Sequence, residues 1–393
     1  MAVKKLLNSE ILYGTALFLI LSSLIIESSV IPNMIGSGAF DTVLKIGRYF
    51  AYALLVLETV LYKEFTAKEY IWLFVIVGIV MINAHYVGFS IPLRFLLVIG
   101  CIGISDRRVM KWELYIMGGW FLFIVLCSQL GIIDNWGFGL EGTRPRYCLG
   151  FIYPSHTTSL FFFIVLLYCC VKREKLNLWE VIGFSAVNYW QYLYTDSRAG
   201  TLLIFAILAG MWMIRYAWVR KLIDMLPPLQ YIFLLTVVIT VLITVLYMRN
   251  PGELVWLDKA LTGRVRLQSA AIQNFGVHLF GQKITWIGNG GTGYTQTSAG
   301  GGYNYVDSSF IKVLLDQGLL VWLMVIAGFC GLSIHAGKSH DYYLLFALAA
   351  LGVYCIVEQW LINPGYNPFF VMLWMPLFRN HIVSDETVYN GGA

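Results

Sequence analysis

The chain has 393 residues, of which 59% are hydrophobic and 12% charged, with a mean hydropathy of +0.71 and a formal net charge of +5. Soluble domains carry about twice that share of charge, so a soluble globular class is excluded and a membrane class follows. The small positive balance says little about partners, because the placement of the charges carries more information than their sum.

The apolar residues fall in separate blocks of about 17 to 24, each long enough to cross a hydrocarbon core as a helix. They lack the two-residue alternation of a membrane barrel, so the expected fold class is all-α and polytopic. In chain order the blocks predict about twelve spans, near 11–30, 42–62, 70–88, 89–105, 113–133, 149–171, 178–194, 199–218, 229–248, 309–332, 342–362 and 366–380. An even count places both termini together. Lys4, Lys5, Lys63, Lys68, Arg107, Arg108, Lys111, Lys172, Arg173, Lys175, Arg215, Arg220, Lys221, Lys338 and Arg379 then face one compartment, which the positive-inside rule makes the cytoplasm. The first block follows Lys4 and Lys5 without an A-x-A cleavage site before Pro32, and reads as a retained span.

No internal repeat or soluble domain interrupts this pattern, so residues 1–393 read as one membrane domain. Two outer segments are longer than the rest, 133–149 and 249–308. Long loops in compact proteins are functional or disordered. The longer one carries Trp256, Leu257, Phe275, Leu279, Phe280, Ile284 and Trp286, which argues for order. Within it, Leu261, Val265, Gln268, Ile272 and Phe275 share one face of a helix predicted over Thr262–Asn274, with Thr262 as N-cap and Gly276 as stop. The glycine-rich run that follows, GNGGTGYTQTSAGGGYNY, lacks the G-K-[ST] ending of a phosphate-binding loop.

The seven cysteines lie mostly in spans, form no C-x-x-C pair and read as small packing residues. The six histidines show no ligand spacing, so neither a metal nor another cofactor is expected, and nothing suggests a nucleic-acid partner.

Charge in a bilayer is costly, so ionisable residues in spans are functional candidates, with snorkelling to the interface as the plain alternative. Lys45 and Arg48, a turn apart on the second span, and Arg94, after Pro92, could meet a lipid-linked anion. Glu58 and Glu358 are expected to be buried and paired with one of these cations, and Lys312 and Asp316 to pair along one helix. Outward-facing arginines run against the topology bias. Arg144, Arg146, Arg198, Arg264 and Arg266 form such a set, and their fork of donors suits pyrophosphate without a metal, although each, Arg144 and Arg266 above all, can also simply face water.

The segments RPRYCLGFIYPSHTTSL, TDSRAGTLL, TGRVRLQSAAIQNFGVHLFGQ and YNYVDSSFIKVLLDQG stand in the order found in the O-antigen polymerase and ligase family. The chain most resembles the polymerases of capsular and exocellular polysaccharides. The motifs cover Arg144 to Gly318, and the hydropathy pattern extends the likeness along the chain. Each motif alone is short, so the signal lies in their order and topology.

The resemblance implies a GT-C-like, inverting glycosyltransferase of the bacterial cytoplasmic membrane, with its long loop on the outer side. Donor and acceptor would both be oligosaccharides linked to polyprenyl pyrophosphate, and a flippase and a chain-length regulator would be partners. By similarity, Arg146, Arg198 and Arg264 would hold the donor pyrophosphate, with Arg266, Arg94, Arg48 and Lys45 as further anion contacts. Ligases of the family place a histidine just before the span that follows the long loop. Here Asp307 stands at that point, as the candidate base or as a cap of the next helix, with His278 as the alternative base. Trp286, Tyr303 and Tyr305, with Trp256 and Tyr294, offer faces and hydroxyls to sugar rings or anchor the interface. A ligase passing a finished glycan to another acceptor, and a transporter or flippase of anionic or lipid-linked cargo using Lys45, Arg48, Arg94, Glu58 and Glu358, are the competing readings. A scaffold ranks behind both, because it leaves the outer arginines unexplained.

Overall fold

The computed structural model describes residues 8–139, 145–225, 227–288 and 303–381. Six helices are long and apolar enough to cross a membrane among these residues: Ser9–Glu27, Ala67–Val87, Asp106–Gln129, Pro154–Lys175, Leu229–Arg249 and Ser309–Lys338. Counting Arg198–Met213 and Ala217–Met225, which meet at a 107° bend, as one broken span makes seven. The chain is therefore an all-α protein with several membrane-spanning helices.

Ser37–Tyr62 and Leu178–Thr195, also expected as spans, are long helices outside that set, and Ser90–Cys101 and Tyr342–Tyr354 are shorter apolar ones. The block expected as a last span, 366–380, departs further. It contains the 3-10 turns Pro368–Phe370 and Met375–His381, and Phe369, Phe370, Val371, Met372, Leu373 and Trp374 along it are almost fully buried. Hydropathy measures apolar content and is blind to Pro364, Gly365 and Pro368, which break a helix there.

Pro154–Lys172 is the centre of the bundle. Its sequence, PSHTTSLFFFIVLLYCCVK, is apolar on every side, and a helix of that kind is stable only when surrounded. It packs against Asp106–Gln129, Leu178–Thr195, Arg198–Met213 and Tyr342–Tyr354. Phe162 stacks on Tyr354 at 3.9 Å between centroids. The Tyr354 hydroxyl donates to Ser159 Oγ at 2.8 Å, which satisfies a polar group inside the core.

The two ends of the bundle differ. One is held by ion pairs between segments, Arg108 with Glu10, Arg173 with Asp341 at 2.5 Å and Arg220 with Glu174 at 3.2 Å, and by Lys63 with Glu58 at 2.9 Å within one helix end. Glu58 is buried as expected, but its cation is Lys63 and not Lys45, Arg48 or Arg94, and it also accepts from Ser9 Oγ; Glu358 has no such pair among the described residues. At the other end Ser29 bridges to Phe151, and a two-residue pairing joins Gly137–Phe138 to Arg146–Tyr147.

The segment after Gly276 is tied into this second end. Ser309–Lys338 breaks at Gly318, whose φ of 81° is closed to most side chains. The break frees backbone groups, and the long loop satisfies them. Leu319 N–H donates to the His278 carbonyl at 2.9 Å, Leu320 N–H to that of Leu279 at 3.1 Å, and Gln282 N–H to that of Asp316 at 3.1 Å. Asn83, fully buried on Ala67–Val87, donates Nδ2 to the carbonyls of both Phe280 and Gln317 at 2.9 Å.

Within the loop the expected helix forms as Arg264–Phe275 and stops at Gly276 as its sequence suggests. Its start is corrected. Thr262 has a positive φ of 56° and Gly263 is the N-cap without a side-chain bond, because Thr262 Oγ1 instead accepts from Arg264 Nη1 at 2.7 Å.

Candidate active site

A cavity of about 900 Å³ opens at this second end. Its lining includes Arg146, Arg198, Arg264, Trp286, Tyr303, Tyr305 and Asp307, drawn from four separate stretches of chain. Arg144, Tyr294 and residues 289–302 of the glycine-rich run lie outside the described residues.

Each arginine is placed by its own local device. Arg146 leaves the short strand pairing and donates Nε to the Thr195 carbonyl at 2.8 Å, capping the end of Leu178–Thr195. Asp196 then adopts a left-handed conformation, φ 47°, and Arg198 opens the next helix two residues later. Two residues further on, a Cβ on Gly200 would lie 2.7 Å from Thr158 Cγ2, so glycine permits this helix to press its first turn onto Pro154–Lys172. That close approach explains the TDSRAG motif. Arg264 starts its own helix, with Nε donated to Asp307 Oδ2 at 3.1 Å and Nη1 to Thr262.

Asp307 does not cap the helix that follows. Ser308 is the N-cap, without a side-chain bond, and the Asp307 carboxylate is turned to Arg264.

The first turns of Pro154–Lys172, Arg198–Met213 and Arg264–Phe275 all contribute to the lining, and Asp307 stands just before the first turn of Ser309–Lys338. Helix N-termini present free N–H groups and partial positive charge, so the cavity combines three guanidinium groups with a backbone field of the same sign. The arginines are held differently. The Arg264 side chain is 24% exposed in its pair with Asp307, whereas Arg198 is 77% exposed and meets Asp196 at 3.5 Å. The second pair is a surface contact that a stronger anion would displace. Arg146 has no carboxylate within 4.0 Å among the described residues and offers its remaining N–H groups.

The aromatic wall is fixed from behind. Trp286 Nε1 donates to Asp316 Oδ1 at 2.8 Å, and Lys312 Nζ lies 4.1 Å from the Trp286 ring centroid and 4.8 Å from that of Tyr305. Lys312 also pairs with Asp316 at 3.4 Å, as its spacing suggests. The Tyr305 hydroxyl bonds the Gln359 side chain, and burial raises the Tyr303 hydroxyl to about 12.

Other lining residues were not among the sequence candidates for the site, with His156, Asp196 and Glu358 among them. His156 sits on the first turn of Pro154–Lys172. Glu358 follows Tyr342–Tyr354, which ends earlier than the apolar block predicts. Burial, and then the charge of Asp307, raise the Glu358 carboxyl to about 8 against the opposing pull of Arg264, Trp360 and Arg146. Burial also raises the Asp307 carboxyl, with Arg264 the principal opposing influence.

The other candidates are not brought here. Lys45 and Arg48 lie on Ser37–Tyr62, which packs against Ser9–Glu27 and Ser90–Cys101, and Arg48 pairs with Glu27. Arg94 Nη1 donates to the Ile362 carbonyl at 3.1 Å, outside the lining. Arg266 is exposed, with its backbone N–H bonded to Asp258 Oδ1 at 2.9 Å. His278 is exposed too, and its carbonyl serves the break at Gly318. No protein-family model, curated protein or solved structure matches the chain.

Proposed function

We propose that the chain is an inverting, metal-independent glycosyltransferase that joins oligosaccharide repeat units carried on polyprenyl pyrophosphate, at the outer leaflet of a bacterial cytoplasmic membrane. The observation that carries this reading is the convergence of Arg146, Arg198 and Arg264 with the helix starts of one cavity, beside carboxylates and an aromatic wall. Such a set grips two linked phosphates and stabilises the charge that develops as the sugar–oxygen bond breaks. Pyrophosphate leaves readily, so the remaining demand is removal of the acceptor hydroxyl's proton, which a carboxylate of the cavity can meet. Trp286, Tyr303 and Tyr305 offer flat faces to the sugar rings. In this reading the bundle is GT-C-like with about twelve membrane passes, both termini cytoplasmic and the cavity on the outer side.

Reconstitution of the full chain with a lipid-linked repeat unit tests it. Wild type is expected to build a ladder of products and Arg264→Ala to lose it. A single capped product on a different acceptor would indicate a ligase, and cargo crossing vesicles without bond formation would indicate a transporter.

A further inference from the structure

We propose that Glu358 takes the proton of the acceptor hydroxyl, and that Asp307 is a positioning residue whose task is to hold Arg264. This rests on the glycosyltransferase reading and assigns its base. The two carboxylates share the cavity but not their surroundings.

Asp307 is committed. Its Oδ2 accepts from Arg264 Nε at 3.1 Å, and the Arg264 guanidinium is anchored at its other side by Thr262. Arg264 opposes the upward pull of burial on this carboxyl without cancelling it, so the ion pair, not a free carboxylate, is what Asp307 brings to the cavity. Taking up a proton there would also loosen the arginine needed to steady the leaving pyrophosphate. Orientation of a charged donor is lost more cheaply than its charge, and misplacement by an ångström is enough to slow a reaction.

Glu358 is free for the task. No Lys, Arg or His nitrogen of the described residues lies within 4.0 Å of its carboxylate, whose hydrogen-bond partner is the neutral Trp360, and Glu358 is one of the lining residues of the cavity. Its backbone is fixed. Ser309 donates both N–H, at 3.1 Å, and Oγ, at 2.5 Å, to the Glu358 carbonyl, and Glu358 N–H donates to the Tyr354 carbonyl at 3.0 Å. Gln359, the next residue, holds the Tyr305 hydroxyl, so the acid and the aromatic wall move as one turn. The charged groups that face Glu358 are Asp307, Arg264 and Arg146, with the neutral Tyr153, Tyr354, Tyr366 and Cys355 around it. A carboxyl that titrates near 8 is matched to removing a proton at neutral pH and returning it to water between turnovers.

The step balances without another reactant. The acceptor O–H bond breaks as its oxygen bonds the anomeric carbon. The bond from that carbon to the phosphate oxygen breaks, and its electron pair leaves on the pyrophosphate. The proton passes to the Glu358 carboxylate and then to solvent.

The test is the initial rate of glycosidic bond formation by the reconstituted full chain on a lipid-linked repeat unit across pH, for wild type, Glu358→Gln, Glu358→Asp and Asp307→Asn. The elution volume and melting temperature of each variant are checked first. Glu358→Gln is expected to lose about 10²- to 10⁴-fold in kcat with donor KM little changed, and to lose the rise of rate with pH. Glu358→Asp keeps part of the rate and the rise, and Asp307→Asn keeps the rise while donor KM increases. A normal kcat and an intact pH limb in Glu358→Gln, with the limb lost in Asp307→Asn, overturns the assignment and leaves the glycosyltransferase reading standing. Failure of wild type to form any glycosidic bond overturns both.

Discussion

Gly281 lies against Gly318 so closely that a Cβ on Gly318 would sit 2.2 Å from the Gly281 nitrogen, and one on Gly281 would sit 2.5 Å from the Asp316 carbonyl oxygen. Both glycines also have positive φ, 89° and 81°. This contact seats the long loop in the broken helix and so helps to set the position of what the loop brings to the cavity. Gly318→Ala combines overpacking of about 1–3 kcal/mol with about 1–3 kcal/mol for a backbone conformation, φ 81° and ψ 170°, that is essentially open only to glycine. A lower melting temperature in detergent and faster proteolysis near 276–288 are expected, whereas Gly183→Ala, in a helix with open space around it, leaves both unchanged.

Asn83 is the side-chain counterpart of that contact. Asn83→Leu keeps the volume but leaves the Phe280 and Gln317 carbonyls without their donor, a loss of about 1–3 kcal/mol for a buried group. Because Asn83 does not line the cavity, reduced activity should come with reduced stability and recover at lower temperature. Activity measured beside thermal unfolding checks this.

The three arginines should not be equivalent. Arg264→Ala is expected to lower kcat by about 10²- to 10³-fold, the scale of removing one preorganised donor to developing charge. Arg264→Lys should rescue little, because an ammonium cannot serve Asp307, Thr262 and a phosphate with a planar fork. Arg198→Ala, at an exposed position, should act mainly on donor KM and become milder at high salt. Steady-state kinetics at two ionic strengths separate these outcomes.

The buried carboxyl at Glu358 also gives stability a pH dependence. Its proton is held more tightly in the folded chain than at the ordinary glutamate value, 4.5 against about 8. A group shifted upward contributes its full stabilisation below the unfolded value and loses it as pH rises through the folded one. The apparent melting temperature of wild type should therefore fall between about pH 5 and about pH 9, and Glu358→Gln should flatten that fall.

Much of the cavity was legible because its chemistry is carried by charged and aromatic residue types that stand out in so apolar a chain. Arg146, Arg198, Arg264, Asp307, Tyr303 and Tyr305, selected from four motifs, and Trp286, from the long loop between two of them, meet in one place. The Arg264–Phe275 helix and its stop at Gly276 were readable from periodicity and glycine, both local signals. Long-range contacts were not readable. Glu358 lay in a run read as the end of a span, and its placement depends on Ser309, far away in sequence. The break at Gly318 looks, in sequence, like any glycine within a helix, since only the approach of Gly281 demands it. Lys45, Arg48 and Arg94 had the right charge, but the face a helix turns to its neighbours is decided by packing, and theirs turn elsewhere.

The most direct measurement is the stoichiometry of turnover in liposomes containing only the purified chain and a lipid-linked repeat unit, with free polyprenyl pyrophosphate and new glycosidic bonds counted together. The expected result is one lipid pyrophosphate released for each bond formed by wild type in the presence of a metal chelator, with both falling together in Arg146→Ala and Arg264→Ala. Bond formation unaffected by both substitutions, or release of the lipid without any bond, would contradict the assignment of this cavity.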